Sequence, residues 1–156
     1  MNKVRAKKSL GQHFLKNEEI ANEIVESFFD SLTGQEVLNN SGKTKKFNVL
    51  EIGPGMGVLT KYILEKTNVN LFLAEIDMES VAYLCKNFPL NQNNFIVADF
   101  LQLDFEKNLK NEQVSVIGNF PYNISSQILF KVFENKEQVP LIVGMFQKEV
   151  AKRIAS

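Results

Sequence analysis

Residues 47–60 read FNVLEIGPGMGVLT. The stretch opens with an apolar run at 47–52, long enough for a buried strand. It then places glycines at alternate positions, Gly53, Gly55 and Gly57, and passes into a helical pattern predicted over 57–66. Glycine lets the backbone turn sharply and approach a ligand with no Cβ in the way. A helix beginning just behind presents unpaired N–H groups. A dinucleotide fingerprint needs Gly-x-Gly-x-x-Gly, whereas position 58 is Val and the third glycine falls one residue early. The turn therefore suits a nucleoside ligand without a pyrophosphate better than a dinucleotide.

Outward from this turn, short apolar runs alternate with helical patterns. Strands are predicted at 70–75, 94–98, 114–118 and 140–146, and helices at 78–87, 124–134 and 147–155, with 99–111 read as mostly loop. Upstream, Ile20, Ile24, Val25, Phe28, Phe29 and Leu32 recur at helical spacing over 17–33, with Asn17 as N-cap, and the polar stretch 34–46 reads as a connection. Near-continuous apolar strands separated by helices imply an α/β fold, a mostly parallel sheet with helices on both faces. The chain divides into a basic arm, helix and loop at 1–46 and the sheet-forming part at 47–156.

Composition bounds the function. A chain of 156 residues with 44% hydrophobic and 23% charged content holds one domain with a real core. It has no apolar run of membrane-spanning length and no secretory signal pattern, so a cytoplasmic protein with no membrane partner is expected. The one cysteine, Cys85, excludes an intramolecular disulfide and a multi-cysteine metal site, and is expected to be an inert core residue of its helix. Net charge is zero, yet residues 1–16 carry Lys3, Arg5, Lys7, Lys8 and Lys16 and no acid. Such an arm can contact phosphates.

In a parallel sheet, ligands bind beyond the carboxyl ends of the strands. Those ends read EIGPGMG, AEID, ADF and GNFPY. Glu75, twenty residues after Gly55, can accept hydrogen bonds from both hydroxyls of a ribose. Asp99, followed by Phe100, can accept from an exocyclic adenine amine while an aromatic or aliphatic neighbour covers the ring. With the glycine loop they describe a pocket for S-adenosylmethionine. The fourth end, Asn119-Phe120-Pro121-Tyr122, suits catalysis at an adenine amine, a poor nucleophile whose lone pair is delocalised. The Asn119 side-chain oxygen and the Phe120 carbonyl can both accept its N–H groups as positive charge develops. Pro121 restrains the loop, and Tyr122 offers a stacking face worth about 1–3 kcal/mol per base.

Six ordered stretches carry a family resemblance: KKSLGQHFL at 7–15, VLEIGPGMGVLT at 49–60, AEID at 74–77, ADFLQLD at 98–104, NFPYNISSQIL at 119–129 and MFQKEVAKRIA at 145–155. The chain resembles the N-terminal catalytic part of the KsgA-type rRNA adenine N6,N6-dimethyltransferases. The resemblance implies a Rossmann-like class I S-adenosylmethionine-dependent methyltransferase acting on two adjacent adenosines near the 3′ end of 16S rRNA, in the immature small ribosomal subunit, with no obligate protein partner. It places cofactor contacts at His13, Leu15, Gly53, Glu75, Asp99 and Asn119, with Glu51 and Gly55 assisting, and the target-base loop at Asn119, Phe120, Pro121 and Tyr122. The family often has Asn where this chain has His13, and either side chain can hydrogen-bond. The arm residues Lys3, Arg5, Lys7 and Lys8 become candidate RNA contacts. The family sheet has seven strands and is followed by a helical domain, so the resemblance implies a chain truncated after about five strands. The strand at 140–146 is then left as an exposed edge open to self-association. A second aromatic for the target base is absent, and the chain is expected to bind cofactor weakly and methylate little by itself. The alternatives are a macrolide-resistance-type 23S rRNA adenine methyltransferase and a non-catalytic RNA- or DNA-binding factor on the same fold.

Overall fold

The structure, a computed structural model, describes residues 5, 7, 13–33, 46–110 and 112–156. Helix α1 (Glu18–Thr33) precedes a β/α alternation: β1 (Phe47–Ile52), α2 (Thr60–Leu64), β2 (Val69–Ala74), α3 (Met78–Asn87), β3 (Phe95–Ile96), α4 (Phe105–Leu109), β4 (Ser115–Asn119), α5 (Ser125–Glu134), β5 (Ile142–Met145) and α6 (Lys148–Ile154). The strands form one sheet of order β3-β2-β1-β4-β5, and every pairing in it is parallel. The edge position expected for the strand at 140–146 is the one β5 occupies. Its residues are half-buried rather than bare.

Period-two alternation in the strands divides the core in two. Leu50, Ile52, Ala74 and Val116 face Phe105 and Leu109 of α4 and Ile128 and Val132 of α5. Val49, Leu71, Leu73 and Ile117 face Ala21, Val25, Phe28 and Leu32 of α1, Ile63 of α2 and Leu84 of α3. Each fully buried aliphatic of this kind contributes roughly 1.5–3 kcal/mol. The Asn17 side chain accepts from the Glu19 and Ile20 N–H groups at 2.9 and 3.1 Å, capping α1 as its sequence suggested.

Several expectations need correction. The first crossover helix starts at Thr60 rather than 57, because Gly57 has φ +80°, outside the right-handed helical region. Segment 99–111 is not mostly loop. It holds a 3₁₀ turn at Phe100–Gln102 and helix α4, whose Phe105 and Leu109 stand one turn apart in the core behind an Asp104 N-cap. Strand β3 pairs over two residues only, and β5 over four. Cys85 is exposed, not a core residue. Its neighbours Ser80 and Leu84 make the buried stripe of α3, and one further residue rotates Cys85 about 100° out of it.

A candidate cofactor and target-base site

The register sets the strand ends in line. Ile52 pairs with both Ala74 and Gly118, Ala74 with Ile96, and Asn119 with Met145. Gly53, Glu75 and Asn119 therefore emerge along one rim, with Asp99 in the loop after β3. Strand order reverses between β1 and β4, and a crevice opens at such a switch point. Here a cavity of about 580 Å³ lies along the rim, and His13, Leu15, Glu51, Gly53, Gly55, Glu75, Asp99, Asn119 and Pro121 all line it.

The glycine turn is needed as it stands. Gly53, Gly55 and Gly57 have φ of +63°, +56° and +80°, and a Cβ on Gly55 would come within 2.9 Å of the Phe14 ring. Glu75 is tied to this turn. Its Oε2 accepts from the Gly55 N–H at 3.3 Å and its Oε1 from the Asp77 N–H at 2.8 Å, with Ile76 a further backbone donor, and the carboxyl keeps acceptor capacity for a ligand hydroxyl. Burial pushes its carboxyl above the usual range, against the pull of those backbone donors. Glu51, 1% exposed, accepts the Thr60 hydroxyl at 2.7 Å. Burial drives its pKa up to about 8, the Thr60 bond opposing and the Glu75 charge assisting. It is thus a neutral acid at pH 7. Asp99 caps the 3₁₀ turn by accepting from Leu101 N–H at 2.9 Å, and faces the cavity at the same time.

The target-base loop has two halves. Phe120 points into the core, 1% exposed and tilted against Phe146 at a centroid distance of 4.7 Å. It seats on two glycines of adjacent strands: a Cβ on Gly118 would lie 2.9 Å from its ring, and one on Gly144 would overlap it. Tyr122 points outward, 39% exposed, and stacks on the His13 imidazole with centroids 4.4 Å apart and planes at 20°. Asn119 Nδ2 donates to the His13 carbonyl at 2.8 Å. That bond commits the amide nitrogen and leaves Oδ1 as the end available to a substrate amine. The Ser125 hydroxyl donates to the Tyr122 carbonyl at 3.4 Å, joining the loop to α5.

Of the candidate RNA contacts, Lys3 and Lys8 lie outside the described residues, and Arg5 is exposed. Lys7 Nζ lies 2.7 Å from Asp77 Oδ1 and 3.5 Å from Glu79, pairing Lys7 with the start of α3. Asp77 went unassigned in the sequence, although its place just before a helical pattern marks it as an N-cap. It caps α3 through the Glu79 N–H and accepts from Ser80 as well as Lys7. Phe14 was missed too: it is an aromatic whose packing on Gly55 no local pattern announces.

An all-parallel sheet of this order, with a glycine-walled cavity and two acids on its carboxyl rim, is the Rossmann-like fold of class I methyltransferases. The family model described as ribosomal RNA adenine dimethylase matches residues 3–156. The chain belongs to that family. It is 52% identical over 154 residues to the ribosomal RNA small subunit methyltransferase A of Flavobacterium johnsoniae, matching 99% of this chain and 54% of that one. Among solved structures it is similar to a dimethyladenosine transferase from Plasmodium falciparum, with 26% identity and TM-score 0.62, covering 92% of this chain and 46% of that one. It shares its fold with the 23S rRNA methyltransferase ErmE at 23% identity and TM-score 0.59, covering 90% of this chain and 50% of the other. The chain spans about half the length of the curated relatives it matches.

Proposed function

We propose that the chain carries the cofactor-binding and target-base elements of an rRNA adenine N6,N6-dimethyltransferase. Its substrate is the pair of adjacent adenosines near the 3′ end of 16S rRNA in the immature small subunit, and it works in the cytoplasm. The observation that carries this reading is the common rim, where the glycine turn, Glu75 and Asp99 line one cavity together with Asn119 and Pro121 of the Asn-Phe-Pro-Tyr loop.

The residues fit S-adenosylmethionine. Glu75 has acceptor capacity for the ribose hydroxyls, Asp99 faces the cavity and can accept from an adenine amine, and the glycine turn and Glu51 border the remaining length, whereas Phe100 is only 3% exposed and packs edge-on against Phe105 in the core. The bound cofactor supplies an electrophilic methyl on a sulfonium. With it bound, the N6 amine would take that methyl and its proton would pass to solvent. Asn119 Oδ1 and the Phe120 carbonyl accept the N–H groups, favouring the more tetrahedral nitrogen of the transition state. Buried Phe120 holds that carbonyl still. The exposed arm residue Arg5, with Lys3 and Lys8, is assigned to RNA phosphates.

Two measurements test the reading. Isothermal titration of the chain with S-adenosylmethionine should show saturable binding; none at all favours a non-catalytic factor. A fusion to the second half of the Flavobacterium relative should then modify small subunits, with primer-extension stops at two adjacent adenosines near the 3′ end of 16S rRNA. Stops in 23S rRNA instead would support the macrolide-resistance type, whose fold ErmE shares.

A further inference from the structure

One face of Tyr122, the residue proposed to stack on a target base, is covered. The His13 ring lies on it at 4.4 Å, nearly parallel. A base held between the two rings would need two stacking contacts of about 3.5 Å each, more than this separation provides. The same residue also holds Asn119, through its backbone carbonyl. We infer that His13 is a positioning residue with two separable parts: its imidazole is a placeholder that covers Tyr122 until an adenine displaces it, and its carbonyl keeps the Asn119 amide turned for catalysis. This rests on the proposed adenine substrate and adds how the base gains entry.

The geometry favours a side-chain swing over withdrawal of the arm. Both rings are exposed, so the imidazole can rotate into solvent without opening the core. Its backbone is held next to Leu15, which packs against the core cluster of α1 and the sheet. Losing the whole segment would strip Asn119 Nδ2 of its partner and free the amide to turn. Moving the imidazole alone exposes the stacking face and leaves the amide set. The placeholder also keeps an aromatic face from standing open to any passing base, because each candidate must compete with a stack already made.

His13 is the chain's one histidine, so its ring protons are read directly by NMR. In the free chain they should lie upfield of their positions in Tyr122→Leu, owing to the tyrosine ring current. S-adenosylhomocysteine alone should leave that displacement in place. A short single-stranded RNA with two adjacent adenosines, added with S-adenosylhomocysteine, should abolish it, and the same RNA with uridines there should not. A wild-type spectrum matching Tyr122→Leu, or adenosine-specific binding by anisotropy with the ring still stacked, overturns the inference. No RNA binding at all refutes the functional reading, and the inference with it. With cofactor product saturating, His13→Ala should bind the adenosine RNA about two- to tenfold more tightly than wild type, the range an aromatic stack accounts for, and His13→Phe should bind no more tightly. Equal or weaker binding by His13→Ala also overturns it.

Discussion

Glu51→Gln isolates the cost of keeping an acid beneath the cofactor loop. In the folded chain the Glu51 carboxyl releases its proton near pH 8, against an ordinary 4.5, because burial, aided by the nearby Glu75 charge, penalises the charged form more than the Thr60 hydroxyl relieves it. Below pH 4.5 folded and unfolded chains both hold the proton. Between 4.5 and about 8 the folded chain holds one more, so stability falls as pH rises by about 1.36 kcal/mol per pH unit, and it levels off above about 8. Three and a half such units amount to roughly 5 kcal/mol, present in full below pH 4.5 and lost by about pH 8. Glutamine keeps the size and an oxygen for the Thr60 hydroxyl and never ionises. Wild type and Glu51→Gln should therefore have similar stability at pH 4.5 and diverge with rising pH, the variant being several kcal/mol more stable at pH 8.5. Urea unfolding followed by circular dichroism, without cofactor, measures this. Glu75, also shifted upward, and Asp77, shifted downward, remain in both proteins, so the difference reports Glu51 together with its charge coupling to Glu75. Parallel stability profiles from pH 4.5 to 8.5 would refute the buried-acid account.

Three further outcomes follow from the site. In the fusion enzyme, Asn119→Ala should cut methyl transfer by about a hundredfold or more while leaving most S-adenosylmethionine affinity, as compared by tritium transfer and calorimetry; near-normal turnover would remove Asn119 from the mechanism. Gly55→Ala forces an alanine to φ +56°, a strain of about 1–2 kcal/mol, and drives its methyl into Phe14, so cofactor affinity should fall about tenfold or more by titration. Phe120→Ala empties a fully buried aromatic site and should destabilise the chain by about 3–5 kcal/mol in urea unfolding, with loss of base capture as the loop slackens.

Strand β1 and helix α3 match the predicted 47–52 and 78–87 to the residue, β1 because the glycine turn after Ile52 closes an unbroken apolar run and α3 because its helical pattern is unbroken. Helix α4 was not, since five residues hold one apolar pair and too little periodicity to separate from loop. The start of α2 was misplaced because a glycine's φ is invisible in a one-letter string, and Cys85 because a short helix leaves the direction of its buried stripe open. Six of the rim residues could be chosen from strand ends, His13 and Leu15 came only from the family resemblance, and all eight proposed cofactor contacts border one cavity. What could not be read was how the arm meets the loop. The His13–Asn119 bond spans 106 positions, and only the folded sheet brings such residues together.

The slot beneath Phe120 bears on how this motif can be transplanted. Asn-Phe-Pro-Tyr looks like a portable tetrapeptide, but its aromatic wedge rests on Gly118 of one strand and Gly144 of the next. A grafted copy on another parallel sheet would meet ordinary side chains at those two places. The ring would be pushed up, and the Asn oxygen would be re-aimed along with the adjoining carbonyl. The transferable unit is therefore a pair of neighbouring strands with both glycines in register, and the edge strand β5 serves as a footing for the chemistry without lining the cavity.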